Sequence, residues 1–149
     1  MNATASDPPK AGEMRLEVVT VPVSDVDRAK AFYESLGWRL DIDIERGEGI
    51  RIVQFTPPGS GCSVSIGKGL TPAEPGSFQG SELAVYDIDA ARQDLIGRGV
   101  EVSELYHLDG GLVPGPDPDG QSYRTFASFK DPDGNTWQLQ EIKDRLPGR

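Results

Sequence analysis

The sequence predicts an α+β protein made of two successive βαβββ modules. The first observation behind this is an internal repeat. Val23-Ser24-Asp25-Val26-Asp27-Arg28-Ala29-Lys30 returns as Val85-Tyr86-Asp87-Ile88-Asp89-Ala90-Ala91-Arg92 at a constant offset of 62, which also carries Gly37 onto Gly99. The second is that each copy places a β-branched, alternating run before an aspartate and a helical pattern. The third is that three strand-like runs separated by Gly- and Pro-rich turns follow each helix. Tandem units of this kind create a cavity between them, and cavities are where small molecules bind.

Taken in order, Met1 to Met14 is polar and lacks the basic start and apolar stretch of a secretory signal, so it reads as a disordered leader. Leu16 to Val23 alternates Val19, Val21 and Val23 with Leu16, Val18, Thr20 and Pro22, the pattern of a strand buried on both faces. Ser24 or Asp25 then caps a helix from Val26 to about Leu36, whose apolar side is Val26, Ala29, Phe32, Tyr33 and Leu36. Gly37 is placed to stop it in the left-handed conformation. Strands are expected near Trp38–Ile44, Ile50–Thr56 and Cys62–Ile66. Residues 68–80, rich in Gly and Pro and without periodicity, read as a linker between module one at 15–67 and module two at 81–142. Module two repeats the order. A strand over Ser81–Tyr86 leads into an Asp87-capped helix ending at Gly97 or Gly99, and strands follow near Val100–Tyr106, Ser122–Phe129 and Thr136–Ile142. Between the first two of these lies His107 to Gln121, a long Gly-, Pro- and Asp-dense loop of the kind that serves as a lid or binding loop. Residues 143–149 form a polar tail, and the whole is read as one fold unit.

Bulk properties exclude several function classes. The 149 residues carry 24 acidic against 15 basic side chains, a net charge of −9. That field repels phosphate backbones and anionic lipid, so neither nucleic acid nor a membrane surface is an expected partner. No apolar run approaches the ~20 residues that span a bilayer. Cys62 is the one cysteine, so no internal disulfide forms and a cytoplasmic location is expected.

Val19 to Tyr33 followed by Leu36-Gly37-Trp38, and Phe129-Lys130-Asp131-Pro132-Asp133-Gly134-Asn135-Thr136-Trp137-Gln138-Leu139, resemble the opening and closing segments of the vicinal oxygen chelate superfamily, the glyoxalase, bleomycin-resistance and extradiol-dioxygenase group. The resemblance covers about Leu16 to Ile142. It implies paired βαβββ modules whose curved mixed sheets form an open cup, a small organic ligand held there, and commonly a homodimer. Metal-dependent members carry His or Glu on the first strand of each module and Glu on the last. Those positions fall here on Val18, Gly80 and Gln138, with Ser63, Val64 or Ser65 on the matching strand of module one. A neutral amide is a poor substitute for a carboxylate, so no metal and no other cofactor is expected.

If Val18 faces the cup, alternation places Thr20 beside it, Glu82, Ala84 and Tyr86 on the matching strand of module two, and Thr136, Gln138 and Gln140 on the closing strand. Glu82 and His107 are the candidate catalytic residues, since a carboxylate in a partly apolar cup, or a histidine starting the long loop, can move a proton. Val18, Thr20, Tyr86, Tyr123, Arg124, Gln138 and Gln140 are the candidate ligand-binding residues, Tyr123 offering a hydroxyl and Arg124 an anion clamp. The plainer alternatives are a solvated Glu82, an exposed His107 and a core Tyr123. The glycine spacing of Asp131-Pro132-Asp133-Gly134-Asn135 does not fit a calcium-binding EF-hand loop, and a tight turn between strands accounts for it better.

The expected function is metal-free binding of a small organic molecule, with acid–base chemistry by a carboxylate or histidine of a lyase or isomerase type left open. A metal-dependent lyase, isomerase or dioxygenase of the same superfamily, and a drug-sequestering resistance protein without catalysis, are the alternatives.

Overall fold

In the computed structural model, which describes residues 7–149, both copies of the repeat start as a short strand leading into an aspartate-capped helix. The chain divides into two compact units, Met1–Glu74 and Pro75–Arg149, and the boundary falls inside the expected linker. Residues 1–6 of the expected leader lie outside the described residues. Residues 7–14 hold no helix or strand; Glu13 N–H closes a turn on the Lys10 carbonyl at 2.9 Å.

The first unit runs β1 (Val18–Thr20), α1 (Val26–Ser35), β2 (Arg39–Glu45), β3 (Arg51–Thr56) and β4 (Ser63–Lys68). Asp25 is the cap, its carboxylate accepting from Arg28 N–H at 3.0 Å, and Gly37 ends the helix at φ 82°, where a Cβ would be strained. The sheet order is β1-β4-β3-β2, with β1 parallel to β4 and the other pairs antiparallel. Val53, Phe55, Val64 and Ile66 are buried on the face that α1 covers with Ala29 and Tyr33. Tyr33 is the hub, its ring 5.3 Å from Trp38 and 6.0 Å from Phe55. Each large side chain buried here contributes about 1.5–3 kcal/mol.

The first strand is shorter and more open than expected. Only three residues pair, and Leu16 and Val18 are exposed. β1 is an edge strand, so no other strand of its sheet pairs with its outer side among the described residues, and Pro22 has no N–H with which to extend the ladder. A charged lattice ties the opposite edge to the helix. Arg51 of β3 meets Asp43 of β2 at 3.0 Å and Asp27 of α1 at 2.8 Å, and Lys30 of α1 meets Asp43 at 2.8 Å. Hydrogen bonds from Arg51, then from Lys30, hold the Asp43 carboxyl at about 2 against the opposing effect of burial.

The second unit runs β5 (Ser81–Val85), α2 (Ile88–Gly97), β6 (Tyr106–Leu108), β7 (Leu112–Pro114), β8 (Thr125–Lys130) and β9 (Thr136–Glu141). The order is β5-β9-β8-β6-β7, with β5 parallel to β9. Asp87 caps α2 through Ala90 N–H at 3.0 Å, and the Glu141 carboxylate at the end of β9 accepts from Ile88 N–H at 3.0 Å. Both carboxylates complement the positive end of the helix. Gly99 at φ 87°, rather than Gly97, takes the left-handed stop.

Two expected elements change. The strand at Val100–Tyr106 reduces to an isolated bridge from Val102 to Phe129 before regular pairing begins at Tyr106. The segment 107–121 is not structureless, because β6 and β7 form a hairpin within it, closed by Asp109 N–H on the Gly111 carbonyl at 2.9 Å. The next strand starts at Thr125 because Tyr123 sits at φ 72°, outside extended geometry.

Asp131 to Asn135 is the tight turn between β8 and β9. Asp131 Oδ1 accepts from the N–H groups of Asp133 and Asn135 at 3.0 and 2.9 Å, and its Oδ2 accepts from Asn135 Nδ2 at 2.8 Å. Asn135 is fully buried, and its Oδ1 accepts from Phe78 N–H at 3.0 Å. The end of the expected linker is therefore docked on this turn. Phe78 also packs against Trp137, the rings tilted with centroids 5.1 Å apart, and a Cβ on Gly76 would lie 2.4 Å from the Asp133 carbonyl oxygen.

Asn135→Ala strips a buried donor and acceptor from partners that water cannot reach, and an equilibrium urea titration is expected to show a loss of about 2–3 kcal/mol. The Asp43 contribution has a definite sign. With its folded value near 2 and an unfolded value of about 3.9, it stabilises fully above the latter and fades as pH falls through the former. Urea midpoints of Asp43→Asn are expected to fall less steeply than wild type between about pH 4 and pH 2.

Candidate functional site

A strand alternates its side chains, so a sheet with one face under a helix has a second face free for other work. In the second unit Leu83 and Val85 of β5 are half-buried on the helix side, while Glu82, Ala84 and Tyr86 are exposed on the other. Register extends this open face across three more strands. Glu82 pairs with Gln138 of β9, which pairs with Ser128 of β8. Ala84 pairs with Gln140, which pairs with Phe126, which pairs with Tyr106 of β6.

A hydrogen-bonded group occupies the middle of the face. Gln138 Nε2 donates to Tyr106 Oη at 2.7 Å, and Tyr106 Oη lies 2.5 Å from Ser128 Oγ. The Tyr106 ring stacks on Phe126 with centroids 5.8 Å apart. The Gln138 amide is thus held by its nitrogen, with its oxygen available. Glu82, its neighbour on β5, has no hydrogen bond or ion pair among the described residues. Gln140 donates through Nε2 to the Tyr123 carbonyl at 3.2 Å. Tyr86, at the end of β5, has Lys143 Nζ 5.9 Å from its ring centroid.

The other sequence-derived candidates are placed differently. His107 is in register with Thr125, one residue out of phase with Tyr106 and Phe126, so it points to the reverse face. It is 6% exposed, and its Nδ1 lies 2.7 Å from the Gly115 carbonyl oxygen, a bond that braces the β6–β7 hairpin. The Tyr123 hydroxyl accepts from Leu146 N–H at 3.1 Å and so fastens the tail. Arg124 Nε is 3.6 Å from the buried Asp117 carboxylate, and its Nη2 donates to the Leu108 carbonyl at 3.4 Å.

Val18 and Thr20 belong to the first unit, where the open face is rich in hydroxyls. Val18 and Thr20 pair with Ser63 and Ser65 of β4, and Ser65 pairs with Gln54 of β3. Thr56 Oγ1 donates to the Asp41 carboxylate, so the Ser63 hydroxyl supplies the proton of the 2.7 Å bond between Ser63 and Thr56. The Arg39 guanidinium, with help from Thr56, holds the Asp41 carboxyl below its ordinary range.

Neither face suits a divalent ion. Hard and borderline cations select carboxylate and imidazole ligands. The second unit's open face offers one carboxylate beside a neutral amide, the first unit's face offers hydroxyls, the Gln54 amide and an Asp41 carboxylate already bonded to Arg39 and Thr56, and no group of three His, Cys, Asp or Glu side chains among the described residues is arranged to hold a metal. Burial, with a smaller effect of Glu17, pushes the Cys62 thiol up, which disfavours its nucleophilic thiolate form.

Ser128 and Gln54 were missed in the sequence. Period-2 alternation against buried Ala127 and Phe129 marks Ser128 as facing away from the helix, and Val53 and Phe55 mark Gln54 in the same way. That alternation was the available signal.

Residues 15–139 match the profile of the Glyoxalase/Bleomycin resistance protein/Dioxygenase superfamily. Among solved structures, TnmS3, an antibiotic binding protein from Streptomyces sp. CB03234, is 32% identical, with 89% of this chain and 99% of that chain covered and a TM-score of 0.69. A glyoxalase/bleomycin resistance protein from the same Streptomyces strain is 33% identical over 85% of this chain and 100% of that one, with a TM-score of 0.65. A superfamily member from Sphaerobacter thermophilus DSM 20745 is 31% identical over 87% and 98%, with a TM-score of 0.68. No curated protein matches the chain.

His107→Ala removes a buried ring and leaves the Gly115 carbonyl without its donor. The expected cost is about 2 kcal/mol, read as a lower urea midpoint at unchanged slope.

Proposed function

Because the chain belongs to the glyoxalase/bleomycin resistance protein/dioxygenase superfamily, we propose that it binds a small organic molecule without a metal and sequesters it rather than converting it. The binding surface is the open face of the second unit's sheet, with Glu82, Tyr86, Gln138 and Gln140 joined by Tyr106 and Ser128. Gln138 carries this proposal. It stands at the closing-strand position, it is a neutral amide, and its nitrogen is bonded to Tyr106. A side chain fixed in this way is suited to orienting a ligand by hydrogen bonding and unsuited to neutralising a cation.

Sequestration is favoured over turnover by where the proton-moving groups lie. His107 points to the reverse face and is bonded to Gly115. Glu82 therefore has no imidazole across from it, and an acid–base pair on one ligand would need both groups within hydrogen-bond reach of it. The similarity to an antibiotic binding protein over nearly its whole length supports the same choice. The proposal keeps the homodimer implied by the resemblance. No helix among the described residues is long and apolar enough to cross a membrane.

A thermal-shift screen of neutral aromatic and quinone-like compounds, run before and after EDTA treatment, tests the proposal. A binder at a hundred times its dissociation constant stabilises by about 2.7 kcal/mol, and this shift is expected to survive chelation with the compound recovered unchanged. A shift that vanishes with EDTA and returns with added Ni2+ or Zn2+ would establish metal dependence instead, and a chemically altered compound would establish an enzyme.

A further inference from the structure

We propose that the Glu82–Gln138 pair is the recognition point for a protonated amine on the bound molecule, so that the ligand class is an aromatic or polycyclic compound bearing a cationic nitrogen. This deepens the binding proposal and rests on it.

Three features of the second unit converge on that chemistry. Glu82 is exposed on the open face and has no hydrogen bond or ion pair among the described residues. Its register partner Gln138 spends its nitrogen on Tyr106 and keeps its oxygen available. Two acceptors, one of them charged, thus stand on adjacent strands about 4.8 Å apart. An ammonium group carries several donors and no acceptor, so it satisfies both together, whereas a hydroxyl offers one donor and a carboxylate offers none. Beside them the Tyr106 ring, stacked on Phe126, supplies an aromatic surface for the apolar part of the ligand.

Among the described residues no cation already fills this role: Lys143 lies beside Tyr86, four residues along from Glu82 on the same face. Lys130 shares it, but stands two strands from Glu82 and one row away, roughly 10 Å or more by sheet geometry, and makes no ion pair among the described residues. The net charge of −9 adds a long-range preference for cations. The rival explanation is that Glu82 guards an edge, since β5 is the outer strand of its sheet and charges on edge strands discourage pairing with other chains. An edge guard has no reason to discriminate between small ligands.

The test compares 2-naphthylmethylamine with neutral 2-naphthalenemethanol by calorimetric titration of the full chain at low salt. A charge-assisted hydrogen bond is expected to give the amine about tenfold tighter binding. Glu82→Gln is expected to erase that preference, so that amine and alcohol bind the variant with about equal affinity. Asp89→Asn, on the helix packed against the reverse face of the sheet, removes the same unit of charge and is expected to retain the preference. Equal affinities in the wild type, or a preference that survives Glu82→Gln or disappears with Asp89→Asn, would overturn the inference. The alcohol reports separately on the face. If it binds without an amine preference, only the inference fails; if neither compound binds, the binding proposal fails and takes the inference with it.

Discussion

Each of the two sheets has one helix and two faces, and that constraint governs the rest of the structure. The strand period of two sends alternate residues to opposite sides. The helix-side set must be apolar to contribute to stability, and it is: Val53, Phe55, Val64 and Ile66 in the first unit, Ala127, Phe129, Trp137 and Leu139 in the second. Once those positions bear the core, the intervening ones need not be apolar. They become Gln54, Ser65, Thr56, Ser128, Gln138 and Gln140, and the polar faces are a direct consequence.

Register decides whether such a face is coherent. A slip of one residue would send every side chain of a strand to the wrong side. The Asp131–Asn135 turn prevents this between β8 and β9, because one carboxylate accepts from two backbone N–H groups and a side-chain amide at once. That places Ser128 opposite Gln138, and the parallel pairing of β5 with β9 places Glu82 beside it. A polar loop motif therefore determines which groups a ligand would meet several residues away. The same turn receives Phe78, so the approach to β5 is anchored at the place where the register is set.

The two units use equivalent positions for different chemistry. Thr20 and Glu82 correspond at the repeat offset, and each lies on the open face of its own sheet. In the first unit the surroundings are hydroxyls chained to Asp41, whose charge is already met by Arg39. In the second the carboxylate is left unmet. Repetition conserves the scaffold because strand, cap and glycine stop are backbone requirements, while the polar positions of the open face carry no such requirement.

Much of the architecture could be read directly from the chain. Asp87 and the Ser24-Asp25 pair announce the helices, Gly37 ends the first and Gly97 or Gly99 the second, alternation identifies the strands, and the Asp131–Asn135 turn follows from its residue types, because these features depend on neighbours close in sequence. Alternation also placed Glu82, Gln138 and Gln140 on one face. The short first strand, the β6–β7 hairpin, the inward turn of His107, the commitment of Tyr123 to the tail and the bond from Gln138 to Tyr106 were not legible. Each depends on which distant strand lies alongside and in what register, and Tyr106 and Gln138 are 32 residues apart. Local chemistry determined the elements and their faces; only the pairing of remote strands decided which side chains on those faces meet.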